Sequence, residues 1–305
     1  ICWIAGRCWQ KDSFIRELEQ DWIMQLENRT CIITGGGRGI GKAIAIAFAR
    51  EGANLVLASR TLSELEATKK EIMNSSDITV EIVPVDVSQP LEVEKLVDHT
   101  LKRLATIDVL VNCAGIYGPI GLITDSDSRK WLQAIQINLF GTFLCIKSVL
   151  PEMMKKKRGK IINLSGGGAV SPFPRFSAYS ASKAAVVRLT ETLAEEVREY
   201  NIDINAIAPG GVNTRLLDEV LEAGEAAGRD FLQKSIKQKE EGGTPPEKSA
   251  DLAVFLASSQ SDGLTGRMLS AVWDNWQGIP DHLEKIMSSD IYTMRRIVPD
   301  NGTSR

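Results

Sequence analysis

The stretch Thr34-Gly-Gly-Gly-Arg-Gly-Ile-Gly41 constrains this chain more than any other. A short apolar run, Cys31-Ile32-Ile33, precedes it, and a helical pattern from Lys42 to Arg50 follows. A strand that turns sharply into a helix aims unpaired backbone N–H groups and the positive helix end at one place, which suits a pyrophosphate. Gly35, Gly39 and Gly41 stand where such a loop needs a tight turn, a close phosphate approach and close helix–strand packing. Gly37, Arg38 and Ile40 complete the cradle. A glycine cluster alone also reads as a plain loop, but the flanking strand and helix meet the contextual test for a dinucleotide site.

The following segments repeat this alternation. Asn54–Ala58 reads as a second buried strand ending at Ser59-Arg60, followed by a charged helix over 62–74. Ile78–Val83 gives a third strand closed by Pro84 and Asp86, and Pro90 suits the first turn of a helix over 90–104. Ile107–Val111 is strand four, after which a long helix from about 128 to 150 stops near Pro151. Lys160–Leu164 and Asp203–Ile207 are strands five and six, with a helix over 178–199 between them. A helix over 247–257 leads to the last strand, 267–272. Short hydrophobic strands separated by helices predict an α/β fold: a single Rossmann-type domain whose parallel sheet is flanked by helices.

That domain is expected to span 24–272, with the polar, Gly224- and Gly228-broken stretch 215–242 as a substrate lid. Residues 273–305 form a polar tail, and its Trp273, Trp276 and Tyr292 imply packing on the body or on a neighbouring subunit. Residues 1–23 lack the continuous apolar core of a signal peptide and are read as a non-native or flexible extension before Met24; an added helix is the alternative.

Composition removes several function classes. Lys+Arg 36 against Asp+Glu 39 gives a net charge of -3, with no global pull toward nucleic acid or an anionic membrane. The basic run Lys155-Lys-Lys-Arg158 carries no stacking aromatics and reads as a solvated turn. No run of about eighteen apolar residues occurs, so no membrane span is expected. The five cysteines lack metal-ligand pairing, and Cys31 and Cys145 read as reduced core thiols of a cytoplasmic protein. His99 and His282 are too few for a histidine-rich metal centre or a serine–histidine hydrolase, and no metal is expected.

Tyr179 and Lys183 stand four apart on a helical pattern and so share a face. A tyrosine is a poor acid or base at its reference pKa of about 10, and a neighbouring ammonium favours its phenolate. Beside a dinucleotide, such a pair can give a proton to a carbonyl oxygen as hydride reaches carbon, or take it back in oxidation. By itself the pair also reads as two residues of a surface helix.

The glycine loop is followed in order by Asp86-Val87, Asn112-Cys-Ala-Gly115, Asn138, Asn163-Leu-Ser165, Tyr179-Ser-Ala-Ser-Lys183 and Asn205-Ala-Ile-Ala-Pro-Gly210. In this ordered set the chain resembles the short-chain dehydrogenase/reductase family over about residues 26 to 272, a 3-oxoacyl reductase being one such subclass. The resemblance implies a seven-stranded parallel sheet in the order 3-2-1-4-5-6-7 and assembly as a homodimer or homotetramer through the long helices. It implies Tyr179 as the acid/base, Lys183 as a ribose-binding partner that tunes it, and Asn138 as support for a proton-relay water. Asn112 would stabilise the sheet beside the cofactor, where Ala114 and Gly115 allow close approach. Asp86 and Val87 would meet the adenine; Pro209 and Gly210 join the cofactor set, with Val212 and Thr214 at the nicotinamide end. Read without the resemblance, Asn112 and Asn138 are ordinary hydrogen-bonders and Asp86 a helix cap.

One position departs from the family pattern. The family's serine lies thirteen residues before the tyrosine, and that position here is Gly166. Ser165 is assigned the carbonyl-orienting role, on the ground that the triple glycine 166–168 lets the backbone bring it across; Ser171 is the weaker candidate.

An acidic residue at the end of strand two would hold the ribose diol of NAD and repel a 2′-phosphate. Ser59 and Arg60 stand there instead, with Arg38 nearby in the loop, so NADP(H) is preferred and NAD(H) left open. Charged lid residues (Arg215, Arg229, Lys234, Lys237) and apolar ones (Phe173, Phe176, Leu216, Leu217, Phe231) mix without singling out a substrate. The last strand ends in Val272-Trp-Asp-Asn-Trp276, where many relatives have Val-Asp-Gly-Gly. The expected function is an NADP-dependent oxidoreductase interconverting a small-molecule carbonyl and alcohol, with no nucleic-acid or membrane partner. The alternative, motivated by Gly166, is a cofactor-binding regulatory or scaffold protein with weak or lost catalysis.

Overall fold

The computed structural model describes residues 24–296; the extension 1–23 and the last nine residues, 297–305, lie outside the described residues. Seven strands form one sheet: β1 Thr30–Thr34, β2 Asn54–Ser59, β3 Val80–Pro84, β4 Val109–Asn112, β5 Gly159–Leu164, β6 Ile202–Ala208 and β7 Met268–Ser270. Their order is β3-β2-β1-β4-β5-β6-β7, and all pairs are parallel. Strand side chains alternate between faces, so Ile33, Leu55 and Leu57 enter one core while Ile32, Val56 and Leu110 enter the other. Helices α1 (Gly39–Arg50) and α2 (Leu62–Met73) cover the first face; α3 (Pro90–Leu104) covers the second. Phe48 and Ile44 anchor α1, and Val93 and Leu96 anchor α3, all fully or almost fully buried.

The long helix differs from its predicted form. It runs as α4 (Ser128–Ile135), a single π turn at Gln136–Phe140, and α5 (Gly141–Lys156). It passes through Pro151 rather than stopping there: the proline gives up one donor and crowds the carbonyl four residues back, but the turn beyond it is held from both sides. Met153 is fully buried, and Lys156 Nζ donates to the Ile107 carbonyl (2.8 Å) and pairs with Asp108 (2.9 Å). Lys157 then ends the helix in the left-handed region at φ 51. By length and composition alone the stretch Ser128–Lys156 could cross a membrane, although no long uninterrupted apolar run marks it. Its buried residues Leu144, Ile146 and Val149 instead join the second core, between α3 and the sheet.

Helix α6 (Ser177–Glu196) follows β5. After β6 come α7 (Arg215–Ala223), a 3-10 turn at Gly224–Ala227 and α8 (Arg229–Glu241), with Lys239 of α8 bonded to Asp218 of α7 at 2.7 Å. Helix α9 (Pro246–Ala257) packs against α1 in the first core. Strand β7 is shorter than predicted: the Asp274 carboxylate accepts the Ser270 N–H at 2.7 Å and turns the chain out of the sheet.

The segment after β7 lies on the body. Trp276 packs on Phe255 with ring centroids 5.4 Å apart, and α10 (Leu283–Met287) buries Ile286. Arg267, 7% exposed, donates to the carbonyls of Ile286 (2.9 Å) and Ser289 (3.1 Å). The Met268 N–H on the outer edge of β7 donates to the Tyr292 carbonyl at 2.8 Å, so the tail covers an edge that would otherwise offer unpaired groups.

Candidate active site

The carboxyl ends of β1 and β4 are fastened together by one hydroxyl. Thr34 Oγ1 donates to the Val111 carbonyl (3.3 Å) and accepts from the N–H groups of Cys113 (3.1 Å) and Ala114 (3.2 Å). This brings Gly35 so near that a Cβ there would lie 3.0 Å from the Ala114 nitrogen. A Cβ on Gly41 would lie 2.3 Å from the Gly35 carbonyl oxygen, so the start of α1 folds directly over the turn only because both residues are glycine. Behind them Asn112 Nδ2 donates to Asn163 Oδ1 (2.9 Å), and Asn163 Nδ2 donates to Thr190 Oγ1 (2.8 Å), bracing β4, β5 and α6.

A cleft of ≈ 300 Å³ opens in front of the glycine turn. Gly35, Gly37, Arg38, Gly39, Ile40 and Gly41 line one wall. Ser59, Arg60, Asp86 and Val87 line the far end, and Ala114, Gly115 and Thr214 the near end. Asn112 lies behind this cleft rather than in its wall. Glycine walls with the N-terminus of α1 at their centre fit a dinucleotide, the pyrophosphate meeting backbone N–H groups.

At the far end, Arg38 is paired with Glu64 at 2.8 Å, while Arg60 is exposed and makes no ion pair among the described residues. Asp86 does not cap a helix; its Oδ1 accepts from Ser88 N (3.0 Å) and Ser88 Oγ (2.7 Å), and the cap position of α3 is Gln89. Glu64 and Glu219 also border this cleft, and sequence reasoning missed both. Glu64 carried a usable signal, since it sits in the first turn of the helix after β2; Glu219 is placed only by the path of α7.

A second cleft of ≈ 420 Å³ continues from the near end, bordered by Ser165, Gly166, Tyr179, Lys183, Pro209, Gly210 and Val212. Asn138, in the π turn, adjoins this group from beneath. Its Oδ1 accepts from Ile116 N (2.9 Å), and its Nδ2 donates to the Ile116 carbonyl (2.8 Å) and Ser182 Oγ (2.9 Å). The π turn rotates Asn138 inward, where it is fully buried.

Lys183 Nζ donates to the Leu164 carbonyl at 2.6 Å and lies 5.7 Å from the centre of the Tyr179 ring. Burial pushes the Lys183 ammonium down to about 8. The expected phenolate is corrected here: burial, then the neighbouring Tyr117 and Cys113, hold Tyr179 well above the ordinary tyrosine range. Desolvation of both members outweighs the attraction the ammonium offers. Tyr117, which sequence reasoning missed because it lies in an irregular loop, meets the Tyr179 ring edge-on at 4.7 Å.

At Gly166 a Cβ would stand 2.1 Å from the Tyr179 hydroxyl and 2.9 Å from its ring carbon. The phenol thus rests against bare backbone. Ser165 borders the cleft, and its Oγ is buried without a hydrogen-bonding partner. Ser171 is exposed and does not border either cleft. Phe176 is fully buried beneath the cleft wall rather than in it.

The family model for short chain dehydrogenases matches residues 29–224. The chain belongs to the short-chain dehydrogenase family. A 3-oxoacyl-acyl-carrier-protein reductase of Thermotoga maritima is 32% identical over 246 residues, 81% of this chain and 97% of that one. The crystal structure of an NAD+-bound xylitol dehydrogenase superposes with a TM-score of 0.76 at 26% identity, covering 81% of this chain and 98% of that one. A gluconate 5-dehydrogenase from Burkholderia cenocepacia, in complex with NADP and tartrate, gives a TM-score of 0.72 at 29% identity, covering 81% and 95%. This short-chain dehydrogenase therefore carries an NAD(P)-dependent oxidoreductase fold, typical of carbonyl/alcohol interconversion by hydride transfer, and it is classed with those enzymes.

Two outcomes are expected from this geometry. Gly166→Ser gives the short-chain dehydrogenase its family's serine yet overpacks the phenol against Tyr117, a strain of about 1–3 kcal/mol. Steady-state assays should find kcat lowered about tenfold or more with coenzyme affinity retained; equal or higher kcat would mean that the phenol yields freely. The second concerns Lys183, whose folded-state pKa of about 8 lies below its ordinary 10.5. Between those values the unfolded chain binds more protons, so the cost of the buried ammonium is full below about 8 and is relieved as pH rises toward 10.5. Denaturant titrations should find Lys183→Met more stable relative to wild type at neutral pH than at pH 10.5, the gap closing by on the order of 3 kcal/mol. A gap independent of pH would refute desolvation of the ammonium.

Proposed function

We propose that this chain is an NADP(H)-preferring reductase/dehydrogenase for a small-molecule carbonyl and its alcohol, with Tyr179 as acid/base. The placing of Tyr179 and Lys183 on the cleft just beyond the near end of the glycine-lined one, with Asn138 buried behind them on Ile116 and Ser182, supports this reading most directly. A nicotinamide coenzyme, when bound, supplies or accepts the hydride. In reduction Tyr179 gives its phenol proton to the carbonyl oxygen, and burial keeps that proton in place until a substrate oxygen arrives. Lys183, whose Nζ is bonded to the Leu164 carbonyl, would hold a ribose hydroxyl, and Asn138 steadies the Ile116 segment from which a water can restore the proton. Ser165, whose Oγ is unpartnered, hydrogen-bonds the substrate oxygen.

The remaining assignments follow the walls. The N–H groups at Gly39, Ile40 and Gly41 receive the pyrophosphate; Gly35 and Gly37 complete the turn. Asp86 and Val87 flank the adenine, Ala114 and Gly115 admit the ribose, and Asn112 braces the strand behind them. Pro209, Gly210, Val212 and Thr214 flank the nicotinamide, and the 215–242 stretch acts as a lid within the 24–272 domain.

The coenzyme preference rests on Arg60 and Ser59, with no acidic side chain at the end of β2. Arg38 reaches a phosphate by leaving Glu64, and an exposed pair of that kind contributes only about 0–1 kcal/mol, less than charge-assisted bonds to a phosphate. The fold itself does not choose, since the xylitol enzyme is NAD+-bound and the gluconate enzyme NADP-bound. Exposed Leu132 on α4, Phe140 at the end of the π turn and Phe143 on α5 support a homodimer or homotetramer through the long helices. The buried, unpaired thiols of Cys31 and Cys145 support a cytoplasmic protein.

The second reading, a regulatory or scaffold protein that binds cofactor, draws on Gly166; saturable NADPH binding without turnover on any carbonyl would favour it. Under the first reading Tyr179→Phe loses kcat by about 10²-fold or more while keeping NADPH affinity, measured by coenzyme oxidation with product analysis. Comparable turnover by that variant would remove Tyr179 as the acid/base. Arg60→Ala should weaken NADPH about tenfold, roughly 1.4 kcal/mol, and NADH far less. Equal losses in the two titrations would overturn its phosphate-reading role.

A further inference from the structure

The second cleft has a chemical character that the hydride-transfer reading does not specify. Past Tyr179 its walls are Tyr117, Phe173, Leu217, Val220, Phe231 and Trp273. The aromatic part is built rather than incidental. Phe173 stacks on the fully buried Phe176 at 4.2 Å with an interplanar angle of 6°. Phe231 meets both rings edge-on, at 4.9 and 5.2 Å, and Tyr117 joins Phe176 at 5.0 Å. Phe173, Phe231 and Tyr117 thus border the space with Phe176 packed behind them, a surface that suits another ring.

Charge is equally informative. Among the residues bordering this cleft, Lys183 is the one charged side chain, and it is already committed beside Tyr179. The lid cations named from the sequence do not reach it. Arg229 pairs with Glu225 at 3.5 Å and Lys237 with Glu241 at 3.6 Å on the outer surface; Lys234 is exposed, and Arg215 borders the coenzyme cleft. Half-buried Glu219 adds a carboxyl close enough to influence Tyr117. A carboxylate or phosphate on the substrate would be buried here with no cation to meet it. Polar partners are neutral and few beside the rings: Gln238 Nε2 is bonded to Asn213 at 3.0 Å, leaving its carbonyl oxygen and the hydroxyls of Ser165, Thr214, Ser235 and Ser270.

We infer that the substrate is an uncharged, ring-bearing ketone, or the matching secondary alcohol, its ring against Phe173, Phe231 and Tyr117 and its oxygen at Tyr179. This rests on the hydride-transfer reading above. Reduction adds a hydride from the reduced nicotinamide to the carbonyl carbon and a proton from Tyr179 to the oxygen, leaving secondary alcohol and oxidised coenzyme; solvent restores the phenol proton.

The test uses the full chain with NADPH and NADH against three sets: neutral cyclic ketones (cyclohexanone, 2-tetralone), a polyhydroxy ketone (fructose) and anionic keto acids (acetoacetate, 2-oxoglutarate). The cyclic ketones should have kcat/KM at least tenfold above the other sets. Phe231→Arg, which puts a cation into the wall, should move the ratio of cyclic ketone to keto acid at least tenfold toward the acid, with circular dichroism confirming that the variant folds. Higher kcat/KM for keto acids or fructose in the wild type overturns the substrate inference and leaves hydride transfer standing. Unchanged selectivity in a folded Phe231→Arg protein overturns the role of the ring wall. Saturable NADPH binding with no turnover of any set overturns hydride transfer itself, and the inference with it.

Discussion

The approach of the first turn to the end of β4 is the contact on which the rest depends. Thr34 Oγ1 gathers the N–H groups of Cys113 and Ala114, and Gly41 sits over the Gly35 carbonyl with no space for a side chain. The register sets Thr34 beside Asn112 and Asn112 beside Asn163, so the strands stop at one level. The sheet order reverses between β1 and β4, and a crevice forms at such a reversal outside the carboxyl ends of the strands. The glycine turn, the 113–115 loop, Ser165 and the 209–214 loop all follow strand ends, so they face one crevice although distant in sequence.

What could be read from the sequence is what period and local chemistry encode. Continuous apolar strands, the glycine turn and the Tyr179–Lys183 spacing depend on near neighbours, and the sheet order came with the family resemblance. What could not be read depends on partners far along the chain. The helix end at Pro151 was misjudged because Lys156 finds the carbonyl and carboxylate of residues 107 and 108, which no local rule supplies. Arg38 looked free for a phosphate, but Glu64, twenty-six positions on, already holds it. Tyr117 and Glu219 enter the clefts only because an irregular loop and α7 are folded over them.

The Tyr179–Lys183 pair makes the same point in electrostatic terms. Spacing places an ammonium near a phenol and predicts a lowered tyrosine pKa, which holds where both groups keep their water. Here both are almost wholly buried, at 7% and 5% exposure, and each charged form loses hydration before it gains the other's field. The Leu164 carbonyl takes the ammonium's hydrogen bond at 2.6 Å, so the cation is held by a neutral dipole rather than by a phenolate. The result is a phenol that burial keeps protonated, next to a lysine that burial pushes down to about 8, so the proton leaves only when a substrate oxygen draws it off.

Gly166 fits that balance. A side chain there would meet the phenol, and its removal lets Tyr179 lie against backbone, edge-on to Tyr117. The same removal takes away a hydroxyl at the residue that, by the family pattern, would address the substrate oxygen. A site with fewer hydrogen bonds to that oxygen relies more on shape to hold the carbonyl in line, since orientation can carry a large part of a barrier. The stacked pair Phe173–Phe176, with Phe231 set across both, is a rigid surface of the kind that can supply it. If the ring-wall proposal holds, the bare backbone at Gly166 and the aromatic wall beside Tyr179 act together, the contour of the wall holding a carbonyl that one hydroxyl fewer would otherwise address.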